Sequence, residues 1–90
     1  SQSNSTELDA SRVNGQHHEG AVINTNTFEI INPVNGGNGT RIVNTTSDLV
    51  VTGATYRSGF GDAWQTGVEF TLVYLVQGST PIYWLLKNAA

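Results

Sequence analysis

The chain contains no cysteine, so no disulfide can staple it, and no Cys/His cluster has the spacing of a structural zinc site. Charge is scarce: four basic and seven acidic residues make up 12% of the sequence, with a formal net charge of −3. Without a Lys/Arg cluster there is nothing to displace counterions from a phosphate backbone, which argues against a nucleic-acid partner. No apolar run approaches the roughly 20 residues that a membrane-spanning helix needs, so no membrane insertion is expected. A secretory signal pattern is missing, and the first residue is Ser1 rather than Met. A processed form or a fragment of a longer protein is expected. No stretch carries a convincing helical period either.

What is there is Asn, Thr, Ser, Gly and Val. Thr and Val suit strands, Asn and Gly suit turns, and uncharged polar residues replace most of the usual charged surface. At 90 residues the chain is one small domain at most. Such a chain buries only about 60–65% of its unfolded surface. Small domains without staples often rely on oligomerisation.

The strongest local signal is Gly67–Val76, GVEFTLVYLV, followed by QGST and Pro81–Lys87, PIYWLLK. Val68, Phe70, Leu72, Tyr74 and Val76 alternate onto one face, with Glu69, Thr71, Val73, Leu75 and Gln77 on the other. Strict period two predicts a strand. Gln77-Gly78-Ser79-Thr80 supplies a turn, Pro81 can open a strand, and the aromatic second run is strand-like too. The pair reads as a β-hairpin carrying most of the bulky apolar side chains. In its second strand Ile82, Trp84 and Leu86 share the expected core face.

Upstream, Ser1–Thr6 is polar and reads as a linker end. Glu7–Gly20 has only Leu8 and Val13 as sizeable apolar side chains and no face of its own to bury, so neighbouring copies are expected to order it. A short helical turn fits near Leu8–Arg12. Strand-like runs follow at Ala21–Asn24, Thr27–Asn32, Thr40–Thr45 and Leu49–Thr52, separated by Asn32–Gly39 and Thr46–Asp48. Thr55–Thr66 is the longest irregular stretch. The expectation is an all-β chain: residues 1–20 an extended stalk or linker, and residues 21–90 a small β-sandwich or jelly-roll-like knob.

Two features together resemble bacteriophage fibre and spike proteins. The order GTRIVN (Gly39–Asn44), LVVTG (Leu49–Gly53), VEFTLVY (Val68–Tyr74) and IYWLL (Ile82–Leu86) is similar to a β-domain at the C-termini of such proteins. Leu8–His17, LDASRVNGQH, is similar to the linker that precedes distal fibre domains, with Val13-Asn14-Gly15 where the family has Leu-Asp-Gly. The resemblance implies a homotrimeric fibre or spike on the virion surface, with the β-domains forming a knob at the tip. The expected role is structural or host attachment without enzymatic activity, with other virion proteins as partners and a host-surface glycan as the candidate ligand of the aromatic loop. Two other readings stay open: a capsid decoration protein, and a monomeric carbohydrate-binding module.

Candidate chemistry is sparse. His17-His18-Glu19 is the only cluster of metal-ligand types, and adjacent residues of an extended chain point apart, so only one His per chain can face a threefold axis. A solvated or packed histidine is the competing reading, and no metal or other cofactor is expected. The acids Glu7, Asp9, Glu19, Glu29, Asp48, Asp62 and Glu69 offer only Asp62 with Glu69 as a hydrolase pair near aromatics. No nucleophile elbow exists, and Asn35–Gly39 lacks the Lys and helix of a phosphate loop. The best binding candidate is the loop holding Tyr56, Arg57, Phe60, Asp62, Trp64 and Gln65. Its aromatic faces can stack on sugar rings while Arg57, Asp62 and Gln65 meet hydroxyls. The alternative is that Phe60 and Trp64 fold back to cap the core.

Overall fold

The computed structural model describes residues 2–3, 6–15, 17–19 and 25–88, and among them every regular element is a strand. In chain order these are β1 (Gln2–Ser3), β2 (Glu7–Asp9), β3 (His17–Glu19), β4 (Thr27–Ile31), β5 (Asn38–Val43), β6 (Val50–Thr52), β7 (Thr55–Tyr56), β8 (Phe70–Gln77) and β9 (Thr80–Lys87). They form a six-stranded sheet in the order β1-β3-β5-β8-β9-β7 and a three-stranded sheet in the order β2-β4-β6. The chain is thus a small β-rich domain of two sheets, as its turn-punctuated sequence suggested. The strand expected at Ala21–Asn24 lies outside the described residues.

The first six strands alternate between the sheets, and neighbours within each sheet are parallel. Residue 2 faces 18, residue 7 faces 29, residue 17 faces 40 and residue 27 faces 50, so the first parallel step takes 16 residues and the later ones 22 or 23. Parallel neighbours require a long connection, and here the strand in the opposite sheet is part of it. A jelly roll pairs its strands antiparallel. Among the described residues, antiparallel pairing is confined to β5–β8 and β8–β9.

Successive circuits turn on the same tripeptide. Val13-Asn14-Gly15 and Val34-Asn35-Gly36 place Gly15 and Gly36 at φ of 83° and 84°, a left-handed conformation that glycine adopts without a Cβ clash. Asn38 locks the stack, its amide donating to the Val13 carbonyl at 3.0 Å and the Gly36 carbonyl at 2.9 Å. Asn35 Oδ1 accepts from the Gly78 amide at 2.9 Å, tying this corner to the turn between β8 and β9. Gly37 is pressed so close to the preceding circuit that a Cβ there would collide with the Ala10 carbonyl.

The β8–β9 hairpin is wedged between β5 and β7, with Leu72 opposite both Arg41 and Leu85. Two antiparallel steps restore the original direction, so β9 receives β7 in parallel. Phe70, Leu72, Tyr74 and Val76 all point inward, as their alternation required, and join Val43 and Leu85 beneath Leu8, Ala10, Phe28 and Ile30 in one buried cluster. Arg41 is the charged residue of this interior. Its guanidinium lies 5.7 Å from the Phe28 ring centre and donates to the Ile42 carbonyl at 2.7 Å, and burial pushes its pKa down.

Two expectations are corrected. In β9 the core cluster takes Tyr83 and Leu85, opposite Tyr74 and Leu72, whereas Trp84 pairs with Val73 on the outer face and Leu86 is exposed; of the three residues expected inside, Ile82 alone is buried. Ile82 to Leu86 is apolar throughout, so period two cannot choose a face and the register with β8 decides it. The Glu7–Gly20 stretch, expected to depend on other copies, sends Leu8 and Ala10 into the core with no exposure at all. Its β2 is a strand where a helical turn was expected, pairs with β4, and its Asp9 carbonyl accepts the Tyr74 hydroxyl at 3.1 Å. A segment with one large apolar side chain needs no face of its own when it stacks on the next circuit.

Candidate functional site

Downstream of β7 the chain runs along the outer edge of β9. The Arg57 amide donates to the Tyr83 carbonyl at 2.8 Å and the Asp62 amide to the Leu85 carbonyl at 2.7 Å. Asp62 Oδ2 accepts the Lys87 amide at 2.8 Å, so a carboxylate continues the ladder where no strand is left. Gly61, at φ 64°, permits this approach: a Cβ would run into the Leu85 carbonyl. The loop thus covers backbone groups that an edge strand would otherwise leave open.

This path divides the residues that sequence reasoning grouped together. Tyr56 sits beside Tyr83 on the core side of the sheet, ring centres 5.5 Å apart. Trp64 is on the same side, 5.0 Å from Phe70. Phe60 instead lies edge-on to Trp84 at 5.4 Å, on the outer face, and the Arg57 guanidinium covers it at 4.9 Å. Asp62 is engaged with β9, and Gln65 is exposed. The structure therefore brings Tyr56 and Trp64 together and leaves Arg57, Phe60, Asp62 and Gln65 outside their cleft.

That cleft holds about 290 Å³ and opens to solvent between Leu49, Tyr56, Ala63, Trp64, Tyr83 and Leu85. Trp64 and Val68 pack against the core as partly buried side chains. None of the cleft's lining side chains carries a charge at neutral pH. Burial, and secondarily the adjacent Tyr56 phenol, pushes the Tyr83 pKa up, which keeps that hydroxyl protonated and able to donate. The Trp64 indole Nε1 is buried with no hydrogen-bond partner, at a cost that the ring's packing on Phe70 must offset. Tyr83, Leu49 and Leu85 escaped sequence reasoning because they reach the site through strand pairing. The one available signal was Tyr83 itself, an aromatic inside the terminal strand.

The other candidates fall elsewhere. His17 Nδ1 lies 2.8 Å from Thr40 Oγ1 at an exposed position, and the His18 side chain lies outside the described residues. Among the described residues no three His, Cys, Asp or Glu side chains converge as a metal site. Glu69 Oε1 accepts from the Asn88 amide at 3.0 Å and Asp62 from Lys87, so both members of the suggested carboxylate pair hold the chain around β9. The chain matches no family model, no curated protein and no solved structure.

Proposed function

We propose that this chain is the tip domain of a bacteriophage fibre or spike, serving on the virion surface as a structural and host-attachment element without enzymatic activity. In this reading it is a sandwich-like knob within a homotrimer, seated among other virion proteins, and it holds a host-surface glycan in the cleft of Tyr56, Trp64 and Tyr83. The observation that carries the reading is the cleft: three aromatic rings and no charge, open to solvent. Sugar rings present apolar C–H faces that stack on such walls, and the tyrosine hydroxyls supply polar contacts. A site this small binds weakly per copy, and three copies on one tip raise avidity without new contacts. The family resemblance of the sequence supplies the viral context.

A monomeric carbohydrate-binding module is favoured by one observation, the burial of Leu8 in the chain's own core rather than against another copy. It uses the same cleft and differs only in stoichiometry. The test is binding to a panel of bacterial surface polysaccharides by the wild type and by Tyr56→Ala, which alters a side chain 42% exposed. Saturable binding by the wild type and its loss in the folded variant are expected. A wild type that binds none of the panel overturns the glycan reading.

A further inference from the structure

We propose that Asn14 is a site of spontaneous modification: the Gly15 amide nitrogen attacks its side-chain carbonyl, and the residue converts through a cyclic imide to aspartyl and isoaspartyl forms. The inference is independent of the fibre reading and concerns the corner at which the first circuits stack. The sequence contains three Asn-Gly pairs, Asn14-Gly15, Asn35-Gly36 and Asn38-Gly39. A following glycine leaves the attacking nitrogen unshielded, because it has no Cβ. In sequence the three are equivalent; in the fold they are not.

Asn35 is held at both reacting groups. Its Oδ1 accepts from the Gly78 amide at 2.9 Å, and the Gly36 amide donates to the Val76 carbonyl at 2.8 Å. A nitrogen whose proton is engaged in a hydrogen bond gives that proton up less readily, and both groups must leave their partners before they can meet. Asn38 is held more firmly. The leaving nitrogen, Nδ2, donates to the Val13 carbonyl at 3.0 Å and to the Gly36 carbonyl at 2.9 Å. Gly39 is buried in β5, between β3 and β8, where the ladder fixes the main chain. Asn14 has neither restraint. It is exposed in a turn outside every strand, and among the described residues its side chain makes no hydrogen bond. Gly15 and Gly36 share nearly the same φ, 83° and 84°, so the contrast between the two Val-Asn-Gly corners comes from their partners and not from the glycine backbone.

The Gly15 nitrogen loses its proton to solvent base and bonds to Asn14 Cγ. The Cγ–Nδ2 bond breaks, and Nδ2 departs as ammonia with a proton from solvent. Water then opens the imide at either carbonyl. Attack at Cγ leaves an aspartate at position 14, and attack at the main-chain carbonyl leaves an isoaspartate whose main chain runs through Cγ. Either way one water is consumed, one ammonia is released and the side chain gains a negative charge. The isoaspartyl form also adds one carbon to the main chain beside Val13, whose carbonyl is one of the two that Asn38 holds.

The experiment keeps the folded protein in mildly alkaline buffer, with a parallel sample unfolded in guanidinium chloride. Peptide mapping by electron-transfer mass spectrometry follows each asparagine and tells isoaspartate from aspartate. The three Asn-Gly pairs are expected to convert at similar rates when unfolded. In the folded protein Asn14 is expected to convert about tenfold faster or more than Asn35 and Asn38. Conversion of Asn35 or Asn38 as fast as Asn14 in the folded protein overturns the proposal, and so does a folded Asn14 that stays intact while the unfolded sample converts. Released ammonia gives a second readout. Asn14→Gln, whose longer side chain closes its ring far more slowly, should remove most of the ammonia that the folded protein releases, and unchanged release rejects Asn14 as the site.

Discussion

Phe60 and Trp64 leave one loop four residues apart and dock on opposite faces of the same sheet, Phe60 edge-on to Trp84 and Trp64 against Phe70. Between them Gly61 and Asp62 carry the chain past the edge of β9. The loop is therefore a clasp over the sheet edge, and its two aromatics serve different surfaces. Trp64→Ala should destabilise the domain by about 2–3 kcal/mol, below the ~3–5 kcal/mol of a fully buried aromatic because the ring is only partly covered. Phe60→Ala should cost less than about 1 kcal/mol. Urea denaturation checks both, and equal losses for the two variants would contradict the division.

Leu8→Ala should cost about 2–5 kcal/mol, the range for a buried leucine truncated to alanine, because Leu8 is wholly buried under the six-stranded sheet. Thermal melting of the variant gives the answer. A melting temperature within a few degrees of wild type would mean that β2 is dispensable.

Tyr74 makes stability depend on alkaline pH. Burial, and then the Asp9 charge, pushes its pKa up from 10.0 to about 12. The fold favours the neutral phenol, so this contribution is complete below pH 10 and is lost as pH rises through 12, on the order of 2–3 kcal/mol in full. Tyr74→Phe should lose about 1 kcal/mol at neutral pH with its bond to the Asp9 carbonyl, and then decline less than wild type between pH 10 and 12. Tyr83, shifted in the same direction, leaves part of the decline in place. Denaturation curves at pH 8 and pH 11 for both proteins test this; parallel declines would exclude Tyr74 as a source.

Gly37→Ala should fail to reach the native circuit spacing, since its methyl would meet the Ala10 carbonyl, a backbone atom that cannot swing aside. A loss above about 2 kcal/mol is expected. Gly59→Ala is the comparison: nothing lies near that position, so only the φ of 91° penalises it. Soluble yield and urea midpoint distinguish them, and a Gly37→Ala protein as stable as Gly59→Ala would refute the close approach.

Much of the hairpin was legible because Phe70, Leu72, Tyr74 and Val76 alternate against Thr71 and less apolar neighbours, a pattern that one strand can satisfy by itself. β4, β5 and β6 were legible for the same reason, to within two residues at their ends. The winding was not. Glu7–Asp9 and His17–Glu19 are too short to carry a period, and parallel pairing places their partners 16 to 23 residues away, beyond any local window. The trace they leave is the repeated Val-Asn-Gly at 13–15 and 34–36, which reads as two ordinary turns until both prove to have the same backbone. For the cleft, Tyr56 and Trp64 were found by their aromatic character. Arg57 and Asp62 were misgrouped with them because sequence proximity says nothing about which side of a sheet edge a loop residue takes.

From β2 onward a circuit that closes on itself every 22 or 23 residues makes the height of the stack and the chemistry of the cleft separable. Copying residues 27–49 once would add one strand to each stack and raise it by about 4.8 Å, the spacing of neighbouring strands, while the hairpin and the aromatic cleft at the far end keep their surroundings. Small-angle scattering of such a protein would register the longer axis with an unaltered cross-section. Length then becomes a matter of counting turns, open to change by duplication alone, and the end that carries the cleft need not be rebuilt when the stack grows.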